Sequence, residues 1–155
     1  MSSRWNYERL TEICKPKQWA TIPMSSLTDK GYPVYGANGI IGYFNSYNHE
    51  EPTIAIGCRG SCGSVHVTDP MSYITGNAMA LDQLDRRANL RFLYHYLSYR
   101  GFEDVISGTA QPQITQSGLQ RIKVPLPLLA EQSRIAAILD KADAIRRKRQ
   151  ESILL

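Results

Sequence analysis

The 155-residue sequence predicts an α+β protein with two parts. Residues 1–124 are predicted to form a glycine-rich, mostly antiparallel β domain with flanking helices, and residues 125–155 a long helix of the coiled-coil type. Glycines separate short β-branched and aromatic stretches between residues 31 and 81, which is typical of strands joined by tight turns. After Leu129, by contrast, neither glycine nor proline occurs, and good helix formers dominate.

The first elements are predicted from local signals. Residues 5–14 indicate a short amphipathic helix or turn that Pro16 stops, because the residue before a proline disfavours helical geometry. Its apolar side would carry Leu10, Ile13 and Cys14. Farther along, Asn38-Gly39 lies between two apolar pairs and predicts a β-hairpin with a type I′ turn.

The middle of the chain continues with strands and one helix. Strands are predicted at residues 53–57, 64–68, 73–75 and 78–81. Asn89 is a good helix N-cap, and the predicted helix runs from there to about Ser107, with Leu90, Leu93, Tyr94 and Leu97 on its inner face. A strand near residues 119–124 then leads into Pro125 and Pro127.

The C-terminal helix carries an apolar seam. Ile135, Ile138, Ala142 and Ile145 are spaced three, four and three residues apart, and Leu139 widens the seam on one side. At about 1.5 Å per residue the helix would be a rod of roughly 39 Å. One interpretation is a helix folded back on its own domain. The apolar chain end, ESILL, favours instead a helix that was cut off or that meets another chain.

Composition and charge narrow the possible functions. No apolar run is long enough to cross a membrane, no leader-like segment follows Met1, and the odd count of three cysteines favours reduced thiols in the cytoplasm. The net charge is +4, and all of the excess lies in residues 121–155, which hold eight basic and four acidic residues. The basic run 146–149 could contact phosphate, although such runs more often form a solvated helix face.

Enzymatic motifs are missing from the sequence. It has no Walker loop, no dinucleotide-binding fingerprint, no methyltransferase tetrapeptide of the Asn/Asp-Pro-Pro-Tyr type and no nuclease carboxylate cluster. The spacing Cys58-x3-Cys62-x3-His66 suggests a metal site, but distant residues such as Cys14 and His49 would have to complete it. Buried free thiols are the favoured interpretation.

A set of polar side chains in glycine-bordered turns predicts a recognition surface. Arginine, asparagine and glutamine can form two hydrogen bonds with one base edge in the major groove, and glycine lets a partner approach the backbone closely. Taken singly, each residue is explained by ordinary turn chemistry; together on the loops of one β domain they form a plausible surface. The candidate set is Tyr35, Asn38, Arg59, Ser61, Asn77, Gln111 and Gln113.

Two stretches carry a family resemblance. Residues 108–115, GTAQPQIT, and residues 122–140, IKVPLPLLAEQSRIAAILD, resemble the specificity (S) subunit of type I restriction-modification systems. The stretches YPVYGANGIIG at 32–42, IAIGCRG at 54–60 and GNAMA at 76–80 resemble the target recognition domain of that family. The proline-rich block that leads into the helix is the specific part, whereas the glycine motifs alone are weak.

The resemblance implies a non-catalytic subunit. In the family, two target recognition domains are joined by two long helices in an antiparallel coiled coil, and each domain reads half of a bipartite DNA site. The subunit positions modification subunits, which methylate adenine, and restriction subunits, which cut DNA. S-adenosylmethionine, ATP and magnesium therefore belong to the partner subunits and no cofactor is expected here. The helix would pair, through Ile135, Ile138, Leu139, Ala142 and Ile145, with a second copy of the chain or with another half subunit.

Two other classes of function stay open at this point. The chain could be a protein-interaction module that docks through its C-terminal helix and binds protein or sugar rather than DNA. A steep loss of affinity as salt rises would distinguish a DNA reader from such a module. A metal-dependent enzyme is the third possibility, and metal analysis of the purified protein would test it.

Overall fold

The computed structural model describes residues 5–108 and 110–154. Thr109, within the polar segment 108–115, and Leu155, the predicted end of the helix, lie outside the described residues, as do residues 1–4. The α+β prediction is confirmed, because short strands form three small sheets with flanking helices and a long helix follows them. Within the described ranges, no helix combines the length and the apolar character needed to cross a bilayer.

Nine strands and four α-helices make up the described chain, together with one 3-10 turn at Met24–Ser26. The strands are β1 Asn6–Arg9, β2 Lys15–Lys17, β3 Tyr32–Gly36, β4 Gly39–Phe44, β5 Ile54–Gly57, β6 Val65–Val67, β7 Tyr73–Ile74, β8 Ala78–Asp82 and β9 Lys123–Leu126. The helices are α1 Leu10–Ile13, α2 Leu90–Arg100, α3 Gln116–Leu119 and α4 Leu129–Leu154.

The three sheets are mostly antiparallel, as the sequence predicts. The largest has the order β2-β8-β5-β6, and all of its strand pairs are antiparallel. The second has the order β4-β3-β7, in which β3 and β7 pair in parallel. The third is a two-stranded ribbon of β1 and β9, which joins the two ends of the domain.

Strand β5 is the buried centre of the domain. Its alternate side chains face opposite sides of the sheet. Ile54 and Ile56 join the main apolar core, which also holds Leu93 and Leu97 of α2. Ala55 faces a smaller core on the other side of the sheet. A strand buried on both faces is a rigid platform for the loop that follows it.

The prediction for residues 5–14 is partly wrong. The apolar side of this segment, with Leu10, Ile13 and Cys14, is buried as predicted. However, the first half of the segment is not helical, because Asn6–Arg9 pairs with the distant strand Lys123–Leu126. That strand continues past Pro125, which a two-stranded ribbon tolerates because each strand has one unpaired edge.

The hairpin of β3 and β4 is confirmed, but its turn is not of type I′. The connecting residues are Ala37 and Asn38, and Gly39 has a φ of +94°. A type I′ turn needs positive φ at both central residues. In the described part of the chain, the non-glycine residues with positive φ are Met71 and Gln83, so neither Ala37 nor Asn38 meets this requirement.

Helix α2 is capped as predicted but ends early. The Asn89 side chain accepts a hydrogen bond from the Phe92 amide, which satisfies one free N–H at the helix start. The helix ends at Arg100 rather than near Ser107, because Gly101 has a φ of +70°, which is incompatible with helix continuation. Leu93 and Leu97 are buried, and Leu90 and Tyr94 pack beside the same core.

Helix α4 confirms the predicted long helix. It has 26 residues and packs beside α2 along the first part of its length. Side chains of Gln132, Ala136 and Asp140 lie on the face toward α2. The apolar seam lies on a different side of the helix, because Ile138 and Ile145 are 59% and 47% exposed. The helix therefore contacts its own domain without burying its seam.

Candidate functional site

Six of the seven predicted recognition residues lie on loops around the end of strand β5. Asn38 is in the β3–β4 turn, Arg59 and Ser61 follow β5, and Asn77 immediately precedes β8. Gln111 and Gln113 belong to the polar segment that precedes α3. Residues 37–38, 58–61, 77 and 110–113 are called the loop surface below.

Backbone hydrogen bonds join these loops although they are distant in sequence. The Cys58 and Arg59 amides both donate to the Asn77 carbonyl, at 2.9 and 3.3 Å. On the other side, the Ile114 amide donates to the Cys58 carbonyl at 3.0 Å, and Arg59 and Gln113 form an isolated antiparallel bridge. The main chain of the segment after β5 is thus fixed between two other loops.

Gly57 allows the β3–β4 turn to pack against the segment that follows β5. A Cβ atom at this position would collide with the carbonyl oxygens of both Ala37 and Ser61. Only glycine allows these two backbone segments to approach so closely. The sequence motif IAIGCRG therefore has a physical role, because its first glycine lets the loops that carry Asn38 and Ser61 meet.

The polar side chains of the loop surface are available to a partner. Arg59, Ser61, Gln111 and Gln113 are exposed, and within residues 5–108 and 110–154 their side chains form no hydrogen bond or ion pair. Arg59, Gln111 and Gln113 line an open cleft of about 610 Å³. A free guanidinium and two free carboxamides in one cleft can each form paired hydrogen bonds with a base edge.

Asn38 has partners of its own. Ser64 Oγ donates to Asn38 Oδ1 at 2.8 Å, and the His66 Nε2 atom lies 3.0 Å from Ser64 Oγ and 3.3 Å from Asn38 Oδ1. Burial lowers the pKa of His66, which favours the neutral imidazole. This cluster orients the Asn38 amide at the edge of the loop surface.

Tyr35 is a correction to the predicted set. It is 5% exposed, and its hydroxyl accepts a hydrogen bond from the Asp69 amide at 3.1 Å. Val34, Tyr35 and Gly36 are all buried, so both faces of β3 are covered where it approaches the turn. Tyr35 therefore supports the hairpin and does not present a surface to a partner.

Helix α4 is attached to the domain through polar contacts. Gln132 is 0% exposed; its Oε1 accepts from the Asn89 amide at 2.8 Å, and its Nε2 donates to the carbonyls of Arg87 and Pro127 at 2.7 and 2.8 Å. Two turns farther on, Asp140 Oδ1 accepts hydrogen bonds from Arg91 and lies 2.7 Å from His95 Nε2. The bonds from Arg91, aided by His95, hold the pKa of Asp140 below its usual range.

The comparisons with known proteins fit this geometry. A protein-family model described as the type I restriction modification DNA specificity domain matches residues 2–155. The chain belongs to this family. The expected resemblance is thereby confirmed.

Several relatives of the specificity domain are similar in sequence. A putative type I restriction enzyme specificity subunit of Haemophilus influenzae, S.HindORF215P, is 33% identical over 150 residues, which cover 92% of this chain and 38% of the relative. The EcoprrI specificity subunit of a type I restriction enzyme from Escherichia coli is 33% identical over 115 residues, which cover 74% of this chain and 28% of the relative. The chain thus spans well under half the length of these relatives.

Solved structures share the fold of the specificity domain. The S subunit of a type I restriction-modification system from M. genitalium superposes with a TM-score of 0.77 at 23% identity, over 91% of this chain and 39% of that one. The HsdS subunit from Thermoanaerobacter tengcongensis superposes with a TM-score of 0.72 at 25% identity, over 98% of this chain and 40% of that one.

The cysteines of the specificity domain are free thiols. Cys58 is buried and lies near the Gly76 carbonyl, whereas half-buried Cys62 donates to the Pro112 carbonyl at 3.1 Å. Burial raises the pKa of both thiols, which disfavours the thiolate that a metal or a nucleophilic reaction needs. Among the described residues, no group of three or more His, Cys, Asp or Glu side chains is arranged to hold a metal ion.

The apolar seam of the specificity domain is a surface feature in the single chain. Ile138, Leu139 and Ile145 are 59%, 39% and 47% exposed; Ala142 is also exposed, and Ile135 is half-buried. Farther along the helix, Ile153 is 81% exposed. Ile135, Ile138, Leu139, Ala142 and Ile145 are called the seam below. Left in water, this apolar area has an unfavourable free energy that a partner helix would relieve.

Sequence reasoning missed three residues that contribute to the site. Gln132 was part of the family block, but two of the three backbone groups that it binds lie in the loop before α2, more than 40 residues away. Ser64 and His66, which orient Asn38, come together with it only through the pairing of strands. For Gln132 the sequence did hold a signal, namely a glutamine in the first turn of an amphipathic helix.

Proposed function

We propose that this chain is a non-catalytic DNA-recognition subunit of a type I restriction-modification system, and that it reads one half of a bipartite site. The observation that carries the proposal is the loop surface. Exposed Arg59, Gln111 and Gln113 side chains, unpaired within the described residues, share one cleft, and main-chain hydrogen bonds hold their loops. Side chains with these donor and acceptor patterns on fixed loops suit direct readout in the major groove.

In this proposal, the seam pairs with the helix of a second copy of the chain or of another half subunit. Two seams that meet remove the apolar area of Ile138, Ala142 and Ile145 from water. Charge favours an antiparallel pair, because a parallel one would place the basic run 146–149 of both helices side by side. An antiparallel pair brings the seam-side members of that run, Lys148 and Arg149, toward Glu131 of the partner helix.

Pairing would set the distance between two loop surfaces. A helix of 26 residues is roughly 39 Å long, and one turn of DNA is about 34 Å. Two identical domains related by a two-fold axis would therefore read two inverted half-sites about one turn apart. The helices would act as a spacer of fixed length.

The proposed function requires partner subunits. Modification and restriction subunits would supply the chemistry, together with S-adenosylmethionine, ATP and magnesium, while this chain holds no cofactor of its own. The modification subunits would also supply many of the phosphate contacts, since the β domain carries little net charge. We place the assembly in the cytoplasm, where its three free thiols would remain reduced.

The test is selection of bound duplexes from a random pool, using the chain assembled with the modification subunits of its system. We expect one enriched bipartite motif. Arg59→Ala should reduce affinity by about 1–3 kcal/mol for particular base pairs and relax the motif there.

Arg86→Ala is the matched control, because Arg86 is an exposed arginine in the loop before α2, outside the loop surface. We expect it to leave the motif unchanged. If Arg59→Ala weakens all sequences equally, Arg59 contacts phosphate and not a base. If the wild-type assembly enriches no motif, or binds without salt dependence, the protein-interaction alternative is favoured over DNA reading.

A further inference from the structure

A second polar cleft lies where helix α4 leaves the domain. It has a volume of about 550 Å³ and is lined by side chains of β6, α2 and α4. His66 contributes from β6, Arg91 from α2, and Arg146 and Arg147 from α4. We call it the junction cleft. It is distinct from the loop-surface cleft that Arg59 and Gln113 line.

The junction cleft has an excess of positive charge. Its lining includes three guanidinium groups and two carboxylates, those of Asp140 and Asp143. Asp140 is bonded to Arg91, and Asp143 is bonded to Arg146. Arg147 is exposed and has no ion pair or side-chain hydrogen bond within the described residues, so its charge is not neutralised inside the protein.

One residue connects the junction cleft to the loop surface. His66 lines the cleft, and its Nε2 atom lies 3.3 Å from Asn38 Oδ1 at the edge of the loop surface. A DNA strand whose bases face the loop surface would therefore continue past His66 toward Arg147. A guanidinium that is not neutralised, and that lies beside a surface suited to reading bases, fits the anionic backbone of a nucleic acid.

We propose that the junction cleft binds phosphodiester groups of duplex DNA, with Arg147 as the contacting side chain. The proposal rests on the DNA-recognition function proposed above and adds to it a phosphate site at the base of the spacer helix. Contacts of this kind carry no sequence information but fix the register of the protein on the duplex. They would also fix α4, and with it the partner domain, relative to the DNA.

The basic run provides its own matched control. Arg147 lines the junction cleft, whereas its neighbour Lys148 lines the groove beside Ile145, Arg149 and Ile153 on the seam side. Arg147→Gln and Lys148→Gln remove the same charge at adjacent positions that face different surfaces. Thermal unfolding and light scattering of both variants would establish that folding and pairing are retained.

The experiment measures the affinity of the assembled protein for a duplex with the selected motif and for a random duplex, at several salt concentrations. We expect Arg147→Gln to weaken both duplexes by the same factor and to reduce the slope of log K against log salt by about 0.9, the value for one phosphate contact. Lys148→Gln should leave the slope unchanged.

Other outcomes overturn the proposal in distinguishable ways. If Arg147→Gln leaves the slope unchanged, or if both variants change it equally, the junction cleft is not a phosphate site, while the proposed function stands as long as Arg59→Ala still alters the motif. If Arg147→Gln changes the motif itself, Arg147 reads a base. If the wild-type assembly binds no duplex, both proposals fail together.

Discussion

Helix α4 turns polar side chains toward its own domain and apolar side chains toward water. This is the reverse of the arrangement expected of a helix on a protein surface. The face toward the domain carries Gln132, which is 0% exposed, and Asp140, which is bonded to Arg91. The seam, on another side of the helix, leaves Ile138 and Ile145 59% and 47% exposed. In an ordinary surface helix the apolar stripe faces the core and the polar residues face water.

This difference shows how one helix can contact its own domain on one face and leave another face free for a partner. Hydrogen bonds are directional, so the bonds of Gln132 and Asp140 fix the angle at which α4 leaves the domain. Apolar contact is not directional and scales with area, which suits the seam to association with another helix. The domain therefore orients the helix without using the surface that would hold a partner.

The largest expected effect comes from charging the seam. In the double variant Ile138→Asp and Ile145→Asp, pairing would bury unpaired carboxylates, which costs several kcal/mol for each partner chain. We expect association to weaken by at least about 4 kcal/mol, roughly a thousandfold in Kd. Light scattering over a range of concentrations would measure it, and circular dichroism should show that the domain remains folded.

Ala137→Asp is the control for the charged seam. Ala137 is exposed on α4 outside both the seam and the face toward α2. A single carboxylate placed there should leave association unchanged. Equal loss of pairing in Ala137→Asp and the double variant would show that helix charge, and not the seam, controls association.

The second effect concerns the attachment of α4 to the domain. Gln132→Leu would leave the Asn89 amide and the carbonyls of Arg87 and Pro127 without their partner, the first two at part-buried places and the third at a buried one. We expect the free energy of unfolding to fall by about 3 kcal/mol, because each buried unsatisfied group costs about 1–3 kcal/mol. Urea unfolding followed by circular dichroism would measure this loss.

Ser133→Ala is the matched comparison for Gln132→Leu. Ser133 is the next residue along the helix, is exposed, and receives one long hydrogen bond of 3.3 Å from the Asn89 side chain. We expect its loss to change the free energy of unfolding by less than about 0.5 kcal/mol. Similar destabilisation in both variants would contradict a special role for the Gln132 amide.

The smallest effect is a pH dependence at Asp140. Because Arg91 lowers the pKa of Asp140 in the folded state, ionised Asp140 stabilises the fold above its ordinary pKa of 3.8. This stabilisation is lost as the pH falls through the lowered value. The side chain is 40% exposed, so we expect less than about 1 kcal/mol at pH 6.

Asp140→Asn would isolate this contribution. The wild type should be more stable than the variant at pH 6, and the difference in the free energy of unfolding should shrink as the pH falls below about 4. Asp104→Asn is a useful comparison, since Arg100 lowers the pKa of Asp104 in the same way at a site away from α4. A difference for Asp140→Asn that is constant with pH would exclude the charged interaction.

Features with a local cause were predictable from the sequence. The repeat of Ile135, Ile138, Ala142 and Ile145 lies within one helix, and the Asn89 cap involves an amide three residues away. The hairpin of β3 and β4 followed from glycine and asparagine in a short turn, although the turn type was wrong. In each case a few neighbouring residues determine the structure.

Features with a distant cause were not predictable. Asn6–Arg9 forms a strand because Lys123–Leu126 lies beside it, and neither sequence alone indicates the pairing. Burial of Tyr35 depends on chain that covers both faces of β3, including the Asp69 amide that its hydroxyl binds. The meeting of Arg59 with Gln113 depends on main-chain bonds between loops far apart in the chain. Five of the seven predicted recognition residues are exposed, but the arrangement of Arg59, Gln111 and Gln113 in one cleft could be seen only in the structure.

One measurement tests the central claim, that the seam holds two reading domains a fixed distance apart. It is the selection of duplexes by the wild-type chain and by the charged-seam double variant in the same assembly. For the wild type we expect two inverted half-sites separated by one constant gap. For the double variant we expect single half-sites without a fixed gap. A single continuous motif for the wild type, or a constant gap that survives the charged seam, would contradict the account.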